Sequence, residues 1–325
     1  MTSATADVGA VDDGPLLRPE PPPNRRNLLG NLVRYRWLFL LLAPGVLYFA
    51  LFRFWPMYGA QIAFRNYIPF LGIEGSEWVG WEHFQSFFSN PDFPRILGNT
   101  LILAALGLFI AFPLTIVLAM LLNEVRLQVL KRTVQTLVYI PHFLSWTVVV
   151  SLTGLLFAVG NGPLWTTLND LLGSDTNFLA DPDWFRPLIL LQSIWKSTGW
   201  GTIIFLAALA SVDQEQYEAA IIDGAGRWQR VWHVTLPAIR STIVVMLILQ
   251  TGNILDTGFE QIYLMSNALN RSVADVFDTY VYFTGIRQGA YSYSTAVGLA
   301  KAIVGLILIF GTNALAKRLK QPGIF

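Results

Sequence analysis

The chain is 325 residues long, has a formal net charge of +1 and contains no cysteine. Hydrophobic residues make up 54% of it and charged residues only 13%, against about 25% charged in soluble domains. This composition predicts an integral membrane protein. The lack of cysteine excludes disulfides, thiolate metal sites and thiol nucleophiles, and the three histidines, His83, His142 and His233, are too scattered to suggest a metal site. No basic block with a recognisable binding fold is present, so we expect no nucleic-acid partner.

The hydrophobic pattern divides the chain into tails, membrane spans and connecting segments. Six runs come close to the roughly 20 residues that a helix needs to cross a bilayer. They are residues 37–58, 99–122, 134–158, 187–210, 239–259 and 295–316. The predicted parts are a disordered tail at 1–30, the first span with an outer segment at 31–98, a core at 99–316 with a polar loop at 211–238, and a tail at 317–325. The predicted fold is all-α with six transmembrane helices.

Lys and Arg residues indicate the orientation, because cytoplasmic segments of membrane proteins carry an excess of them. With the N-terminus in the cytoplasm, 14 of the 22 basic residues fall on the cytoplasmic side. The outer segments hold more acids, among them Glu74, Glu77 and Asp275. Both termini and the 211–238 loop are therefore predicted to be cytoplasmic.

The 211–238 loop has an unusual sequence for a connection between two spans. Gly224 can end a first short helix in a left-handed conformation, and Ala219 and Ala220 leave a narrow face for close approach. A second short helix is predicted from Arg227 to Trp232, before Pro237 restarts the chain into the membrane. The alternative is an ordinary amphipathic loop whose charges are simply solvated.

This spacing resembles the EAA loop of binding-protein-dependent type I ABC importers. Glu-Ala-Ala is followed after three residues by Gly and then, after nine more, by an aliphatic residue, any residue and Leu-Pro, with Val234 where the family usually has Ile. In that family the loop is a cytoplasmic helix-turn-helix that sits in a groove of the ATPase subunit. The coupling residues that the resemblance implies are Glu218, Ala219, Ala220, Asp223, Gly224, Leu236 and Pro237.

The resemblance covers about residues 37–316 and is strongest to carbohydrate-uptake permeases. It is carried by short segments along the chain. They are Tyr58-Gly59, Ile62-Ala63-Phe64, Asn99-Thr100, Asn123-Glu124, Tyr139–Phe143, Ile194-Trp195-Lys196, Gly199-Trp200, Val276 with Asp278–Tyr282, and Ala296–Leu299. Within these permeases the chain looks most like the LplB-like branch for oligosaccharides and polysaccharide fragments.

Membership of this family would make the chain a transport subunit with a type I ABC importer permease fold and a MetI-like core domain. It would have no catalytic residues, no metal site and no cofactor of its own. The sequence contains no G-x-x-x-x-G-K-[ST], so the energy would come from a partner. The implied partners are a homologous second permease subunit in a heterodimer, two ABC ATPase subunits that bind ATP and Mg, an extracytoplasmic solute-binding protein, and the lipid bilayer of a bacterial inner membrane.

Polar residues inside the spans are candidates for contact with solute, because such residues are costly in a bilayer and by default face a cavity or a partner. Gln192 belongs to this group, and Gln250 and Asn253, three residues apart, share one helix face. The candidate substrate-binding residues are His142, Ser145, Trp146, Ser193, Trp195, Lys196, Gln250, Asn253 and Asp256. For each, helix packing or a hydrogen bond to the backbone is the alternative, and Lys196 or Lys301 could instead pair with Asp256.

Other function classes fit the sequence less well. A proton-coupled secondary transporter would need an intramembrane carboxylate, for which Asp256 is the one plausible residue, and it would leave the Glu218 loop unexplained. A membrane enzyme would need a catalytic cluster, and His142 has no nearby acid in the sequence. A type I importer for another solute, such as an amino acid or phosphate, is the serious alternative to a sugar importer.

Overall fold

The structure is a computed structural model that describes residues 35–319 and 323. The predicted tail at 1–30 lies outside these residues. Of the predicted tail at 317–325, only 317–319 and 323 are described, and Lys317 and Arg318 are the last residues of a long helix. The chain divides into two compact units, one that ends at Gly59 and one that begins at Ala60.

Most of the described chain is helical. In chain order the helices are α1 (Arg36–Phe64), α2 (Glu82–Phe88), α3 (Phe93–Glu124), α4 (Gln128–Phe143), α5 (Trp146–Leu156), α6 (Pro163–Leu172), α7 (Pro182–Ala210), α8 (Gln214–Ile222), α9 (Arg227–Gly252), α10 (Phe259–Met265), α11 (Arg271–Ala274), α12 (Phe277–Val281, continued by a π-helical turn to Arg287) and α13 (Tyr291–Arg318). Two strands of two residues each, β1 (Arg65–Asn66) and β2 (Glu77–Trp78), pair antiparallel. The all-α prediction therefore describes the fold apart from this small hairpin.

Four of the described helices, α1, α3, α9 and α13, are long and apolar enough to cross a membrane. α4 and α5 make a fifth if the two are counted as one bent span. α7 overlaps the fourth predicted span and is 29 residues long, but polar residues such as Gln192 and Lys196 interrupt its apolar run. Each predicted span thus overlaps a helix, or the α4–α5 pair, in the described chain.

The third predicted span, 134–158, is wrong as a single straight helix. α4 and α5 meet at an angle of 102°, and Leu144 and Ser145 between them have extended backbones. Pro141 lies in the 3-10 turn that ends α4, as expected for a residue that lacks an N–H and whose ring clashes with the carbonyl four residues earlier. Ser145 then begins α5, because its hydroxyl accepts a hydrogen bond from the Val148 N–H at 3.3 Å.

The predicted separate helix before Pro237 is also wrong. Arg227 to Gly252 form one continuous helix, α9, in which Val231–Thr235 make a π-helical turn. The α-helical hydrogen bonding resumes at Leu236, and Pro237 is the second residue of this segment. The helix at the fifth predicted span, 239–259, therefore begins and ends earlier than predicted.

Three helices accommodate an internal proline in the same way. Pro56 in α1, Pro113 in α3 and Pro237 in α9 each follow a π-helical turn and stand second in the α-helical segment after it. A π turn is wider than an α turn, and it gives room near the carbonyl that the proline ring would otherwise meet. These helices continue through proline, as membrane helices often do.

The first unit consists, in its described part, of the N-terminal portion of α1. No residue in the apolar part of α1 is buried, and large side chains such as Leu41 and Trp55 are exposed. A helix that is apolar on every side is typical of a membrane span.

α7 is the central helix of the second unit, and apolar clusters pack against both of its halves. Phe185 packs in a cluster with Phe157 and Phe178, and Phe205 packs in another with Phe112 and other residues of α3 and α9. Lipid tails are as apolar as these side chains, so close packing and polar contacts, rather than escape from water, hold membrane helices together.

The closest packing occurs where α7 crosses α4 at Gly199. A methyl group added to Gly199 would lie 2.0 Å from the Val138 carbonyl oxygen and 2.6 Å from its carbon. Only glycine allows the two helix backbones to approach this closely. The contact fixes α7 against the helix that ends at the bend.

A buried polar network joins α5, α7 and α10. The Gln192 amide donates to the Thr153 hydroxyl at 2.8 Å, and the Gln261 amide donates to the Gln192 oxygen at 2.9 Å. Gln261 also accepts a hydrogen bond from Ser193 at 3.0 Å and donates to the Ile189 carbonyl at 2.9 Å. Buried polar groups that satisfy one another rigidify a helix interface, so this network fixes the positions of three helices.

Candidate functional site

α8 ends in a complete helix-ending motif. The Ala225 N–H donates to the Ala220 carbonyl at 2.8 Å, and the Gly224 N–H donates to the Ile221 carbonyl at 3.0 Å. These two bonds, with Gly224 at φ +80°, form a Schellman motif. A side chain at Gly224 would meet no atom within 4 Å, so it is the left-handed backbone rather than lack of space that favours glycine here.

The start of α8 and its attachment to α9 are equally well defined. Asp213 caps α8 by accepting a hydrogen bond from the Glu215 N–H at 3.0 Å. The Tyr217 hydroxyl lies 3.1 Å from the Thr235 hydroxyl in the π-helical turn of α9. At the other end, Gln229 accepts from the Gly226 N–H at 2.7 Å and so begins α9. α8, the turn and the start of α9 therefore form one rigid elbow.

Most of the predicted coupling residues lie on the surface of this elbow. Glu218, Ala219, Asp223, Gly224 and Pro237 are exposed, whereas Ala220 and Leu236 are half-buried.

Apolar side chains stand beside these residues: Ile222 is 86% exposed and Trp228 79% exposed, and Ile221 and Trp232 are also exposed. Exposed apolar groups next to charged ones are typical of surfaces that contact another protein or a membrane. None of these four residues is among the predicted coupling residues, although their positions close to Gly224 in the sequence could have indicated them.

Four of the predicted substrate-binding residues line one cavity of about 360 Å³ between α3, α7 and α9. They are Ser193, Gln250, Asn253 and Asp256. Gln250, Asn253 and Asp256 are all exposed to this space. Gln250 lies in the last turn of α9, Asn253 directly follows the last residue of this helix, and Asp256 lies in the irregular segment after it.

The other five predicted residues lie elsewhere, around the bend between α4 and α5. The His142 ring stacks on Trp200 with centroids 4.5 Å apart, and Ser145 caps α5. Trp146 lies under the Lys196 ammonium, at 5.4 Å from the ring centroid. Trp195 lines a separate, mainly apolar cavity of about 320 Å³. None of the five residues lines either of the cavities that contain Asp256.

Lys196 forms hydrogen bonds to the backbone at the bend between α4 and α5. Its ammonium group donates to the His142 carbonyl at 2.7 Å and to the Leu144 carbonyl. Both carbonyls have lost helical partners because α4 ends there, and a buried carbonyl without a partner is costly. Lys196 is itself buried, so the two carbonyls supply the polar contacts that its charge requires.

We expect Lys196→Met to destabilise the folded protein by about 2 kcal/mol, the usual worth of a hydrogen bond to a charged group. Methionine fills similar volume but leaves the two carbonyls unsatisfied. Thermal unfolding of the purified protein in detergent measures the effect. Lys131→Met, on the partly exposed surface of α4, is the matched control, and an equal loss in both variants would contradict a special role for Lys196.

A second cavity, of about 660 Å³, lies between α9, α12 and α13 and also contains Asn253 and Asp256. Lys301 in its wall forms an ion pair with Asp278. The prediction that Lys196 or Lys301 could pair with Asp256 is therefore wrong, because each lysine is held by other groups. Asp278 was not predicted as the partner of Lys301, although a lysine inside a span indicates that an acid is near.

The segment between α10 and α13 is attached to α3 and α7 by charged and amide groups. The Asp275 carboxylate, which is buried, pairs with Arg95 at 3.3 Å and with Arg271 at 3.2 Å. The Asn99 amide donates to the Asp275 carbonyl at 3.0 Å and accepts from Arg186 at 2.9 Å. These contacts hold this segment against α3 and α7.

Tyrosines extend this attachment to α13. The Tyr280 and Tyr293 hydroxyls lie 3.0 Å apart, and the Asn90 amide donates to both. Burial, followed by the hydrogen bond with Tyr293, raises the pKa of Tyr280, so this phenol stays protonated.

Comparison with known proteins identifies the family. Residues 106–321 match the family described as "Binding-protein-dependent transport system inner membrane component". The chain is 63% identical over 297 residues to Protein LplB of Bacillus subtilis (strain 168), covering 91% of this chain and 93% of LplB. It is 52% identical over 329 residues to the polygalacturonan/rhamnogalacturonan transport system permease protein YteP of the same organism, covering the full length of both.

A solved structure resembles the chain over nearly its whole length. It is a chain of a bacterial alginate ABC transporter, crystallised in complex with an alginate pentasaccharide-bound periplasmic protein, with a TM-score of 0.84 and 36% identity. The match covers 92% of this chain and 100% of that one. Together with its apolar helices and its 211–238 elbow, these likenesses show that the chain belongs to the binding-protein-dependent transport system inner membrane components and is a multi-pass permease subunit of the ABC transporter class.

Proposed function

We propose that the chain is the permease subunit of an ATP-driven importer of oligosaccharides or polysaccharide fragments, located in a bacterial inner membrane. It crosses the membrane six times, with α7 and the bent α4–α5 pair as spans and both termini in the cytoplasm. The observation that carries the proposal is the rigid elbow of α8 and α9, which presents charged and apolar side chains on the surface between two long helices.

The elbow binds an ATPase subunit and transmits the movement of that subunit to the membrane helices. Glu218, Ala219, Ala220, Asp223 and Gly224 form its docking face, and the exposed Ile222 and Trp228 fill a groove of the partner. Leu236 and Pro237 join this face to the membrane part of α9. A rigid element suits this task, since a movement of the bound subunit then turns α9 as well.

The solute passes along the cavity that contains Gln250, Asn253 and Asp256. Their amide and carboxylate groups can exchange hydrogen bonds with sugar hydroxyls. The sugar class is supported by two similar proteins, whose names refer to polygalacturonan/rhamnogalacturonan transport and to alginate import. A binding protein delivers the solute outside, and alternating access moves it across.

The complete transporter requires further subunits. We propose a second, homologous permease, so that the two membrane subunits form a heterodimer, two ABC ATPase subunits that bind ATP and Mg, and an extracytoplasmic solute-binding protein. The chain itself binds no cofactor. The solved alginate transporter, which is in complex with a periplasmic protein, supports the binding-protein partner.

ATPase activity of the reconstituted complex, measured with its binding protein and a panel of oligosaccharides, tests this function. We expect one class of oligosaccharide to stimulate hydrolysis, because substrate delivery is coupled to the ATPases through this chain. Amino acids and phosphate serve as the control solutes. Stimulation by one of these and by no sugar would keep the importer and remove the carbohydrate assignment, whereas activity without any coupling to solute would contradict the importer itself.

A further inference from the structure

One large side chain attaches α8 to the helices beside it. None of the residues of α8 is buried, and only Tyr217 and Ala220 are half-buried. The Tyr217 side chain packs against the apolar cluster that contains Phe205 of α7 and Ile239 of α9. Among the described residues, Tyr217 also makes the one side-chain hydrogen bond from α8 to another helix. Apart from the turns at its two ends, α8 is therefore held mainly through Tyr217.

The hydrogen bond between Tyr217 and Thr235 has a defined direction. The Thr235 hydroxyl donates to the Arg230 carbonyl at 3.4 Å, and Thr235 is only 7% exposed. A hydroxyl has a single hydrogen to donate, so Tyr217 is the donor and Thr235 the acceptor of the bond between them, which is 3.1 Å long. The three groups thus form a chain of hydrogen bonds that runs from α8 into the backbone of α9.

This chain of hydrogen bonds reaches α9 where the helix is irregular. Arg230 directly precedes the π-helical turn, and Thr235 is the last residue of that turn. Pro237 follows two residues later and has no N–H to donate to an earlier carbonyl. Helices bend most readily at π-helical turns and at proline. Tyr217 therefore contacts α9 at the point where this helix would otherwise bend.

We propose that Tyr217 is a positioning residue that transmits the movement of α8 to α9. This rests on the proposed function of the elbow as the docking surface for an ATPase. When α8 moves with the bound subunit, the Tyr217 hydroxyl moves Thr235 with it, and the π-helical turn does not absorb the displacement. Tyr217 is half-buried, whereas Glu218 and Ala219 of the docking face are exposed, so transmission and docking depend on different side chains.

Tyr217→Phe tests the proposal, because it keeps the aromatic ring and removes only the hydroxyl. The variant is placed in the complete reconstituted complex with its binding protein and a panel of oligosaccharides. We expect the maximal ratio of stimulated to basal ATPase activity to fall about fivefold, the change in an equilibrium that the net free energy of one ordinary hydrogen bond produces. Co-purification of the ATPase subunit, the amount of folded protein and the solute concentration for half-maximal stimulation should stay unchanged.

Variants of Thr235 show whether the hydrogen bond itself is responsible. Thr235→Val removes the acceptor with little change in volume and should also lower the ratio, whereas Thr235→Ser keeps the hydroxyl and should retain it. Residues that act through one shared bond give non-additive effects. The double variant Tyr217→Phe with Thr235→Val should therefore lower the ratio no further than the more severe single variant.

Tyr48→Phe and Thr133→Val are the matched controls. They make the same chemical changes at exposed positions of α1 and α4, where the Thr133 hydroxyl donates to the Val129 carbonyl at 2.9 Å. Both should have the ratio of the unaltered complex.

Three results would overturn the proposal and leave the importer in place: an unchanged ratio in Tyr217→Phe, additive losses in the double variant, or loss of the ATPase subunit or of folded protein in step with the ratio. Failure of every solute to stimulate the unaltered complex would instead contradict the proposed function, and this role of Tyr217 with it.

Discussion

Glu218→Lys is expected to abolish solute-stimulated ATP hydrolysis and solute uptake while the protein still inserts into the membrane. Glu218 is exposed on the elbow, and under the proposed docking the variant would present a cation to an ATPase groove that accepts an acid. Like-charge contacts at an interface cost several kcal/mol, enough to detach the partner. Co-purification of the ATPase subunit and stimulated ATPase activity are the two measurements.

Gly224 extends the same experiment to the backbone. Left-handed φ costs an ordinary residue about 1–2 kcal/mol, so Gly224→Val should open the Schellman motif and uncouple the ATPase. Gly224→Asn should retain coupling, because asparagine tolerates this conformation. Gly224→Asp keeps the turn in the same way but adds a charge to the docking face, and we expect it to uncouple.

The control for these variants is Asp170→Lys, which reverses an exposed charge on α6, away from the elbow. Membrane insertion and stimulated activity should both be normal in this protein. Normal transport in Glu218→Lys and Gly224→Asp together would contradict the role of the elbow in coupling.

Gly199→Ala is expected to prevent stable folding. The added methyl carbon would lie 2.0 Å from a backbone oxygen of α4, and no side-chain rotation can relieve a clash with the backbone. Overpacking commonly costs about 1–3 kcal/mol and occasionally more; here the two helices must separate, so we expect the upper end. The amount of folded protein in membranes and its thermal unfolding midpoint measure the loss.

Gly154→Ala is the matched control for this variant. Gly154 lies in α5, and a side chain there would meet no atom within 4 Å. Alanine favours a helix over glycine by about 1 kcal/mol, so this variant should be as stable as the original or more so. Equal stability of the two variants would show that α4 and α7 can separate at no cost.

The positions of the long helices could be predicted from the sequence because they depend on composition over many residues. The apolar runs of α3, α9 and α13 are long enough that errors of a few residues at their ends do not matter. The end of α8 was also predictable, since Gly224 at the end of a helical stretch indicates a left-handed residue. These features are local, and local patterns are what a sequence shows directly.

The bend between α4 and α5 could not be predicted in the same way. A proline such as Pro141 can indicate the end of a helix, but Pro113 and Pro237 occur in helices that continue beyond them. The difference depends on Lys196, which is 54 residues from His142 along the chain and satisfies the carbonyls that the bend exposes. A contact over such a separation is set by how the helices pack.

The candidate solute residues show the same limit. Gln250 and Asn253 both line one cavity, with Gln250 in the last turn of α9 and Asn253 directly after its last residue, so their proximity is local. Their separation from His142 and Trp195 depends on which sides of α7 and α9 face the cavity. Likewise, the pairing of Lys301 with Asp278 rather than Asp256 depends on the packing of α12 against α13, which the sequence does not show.

The continuity of α9 has a mechanical consequence. A helix of 26 residues is about 39 Å long, so the elbow at one end and Gln250 at the other belong to a single lever. If the lever pivots near its middle, a tilt of about 15°, similar to subunit rotations in other switching proteins, displaces each end by about 5 Å. A displacement of the helix at Trp228 would then widen or narrow the cavity directly. A change of hydrogen bonding in the π-helical turn at Val231–Thr235 would reduce the movement that reaches the cavity.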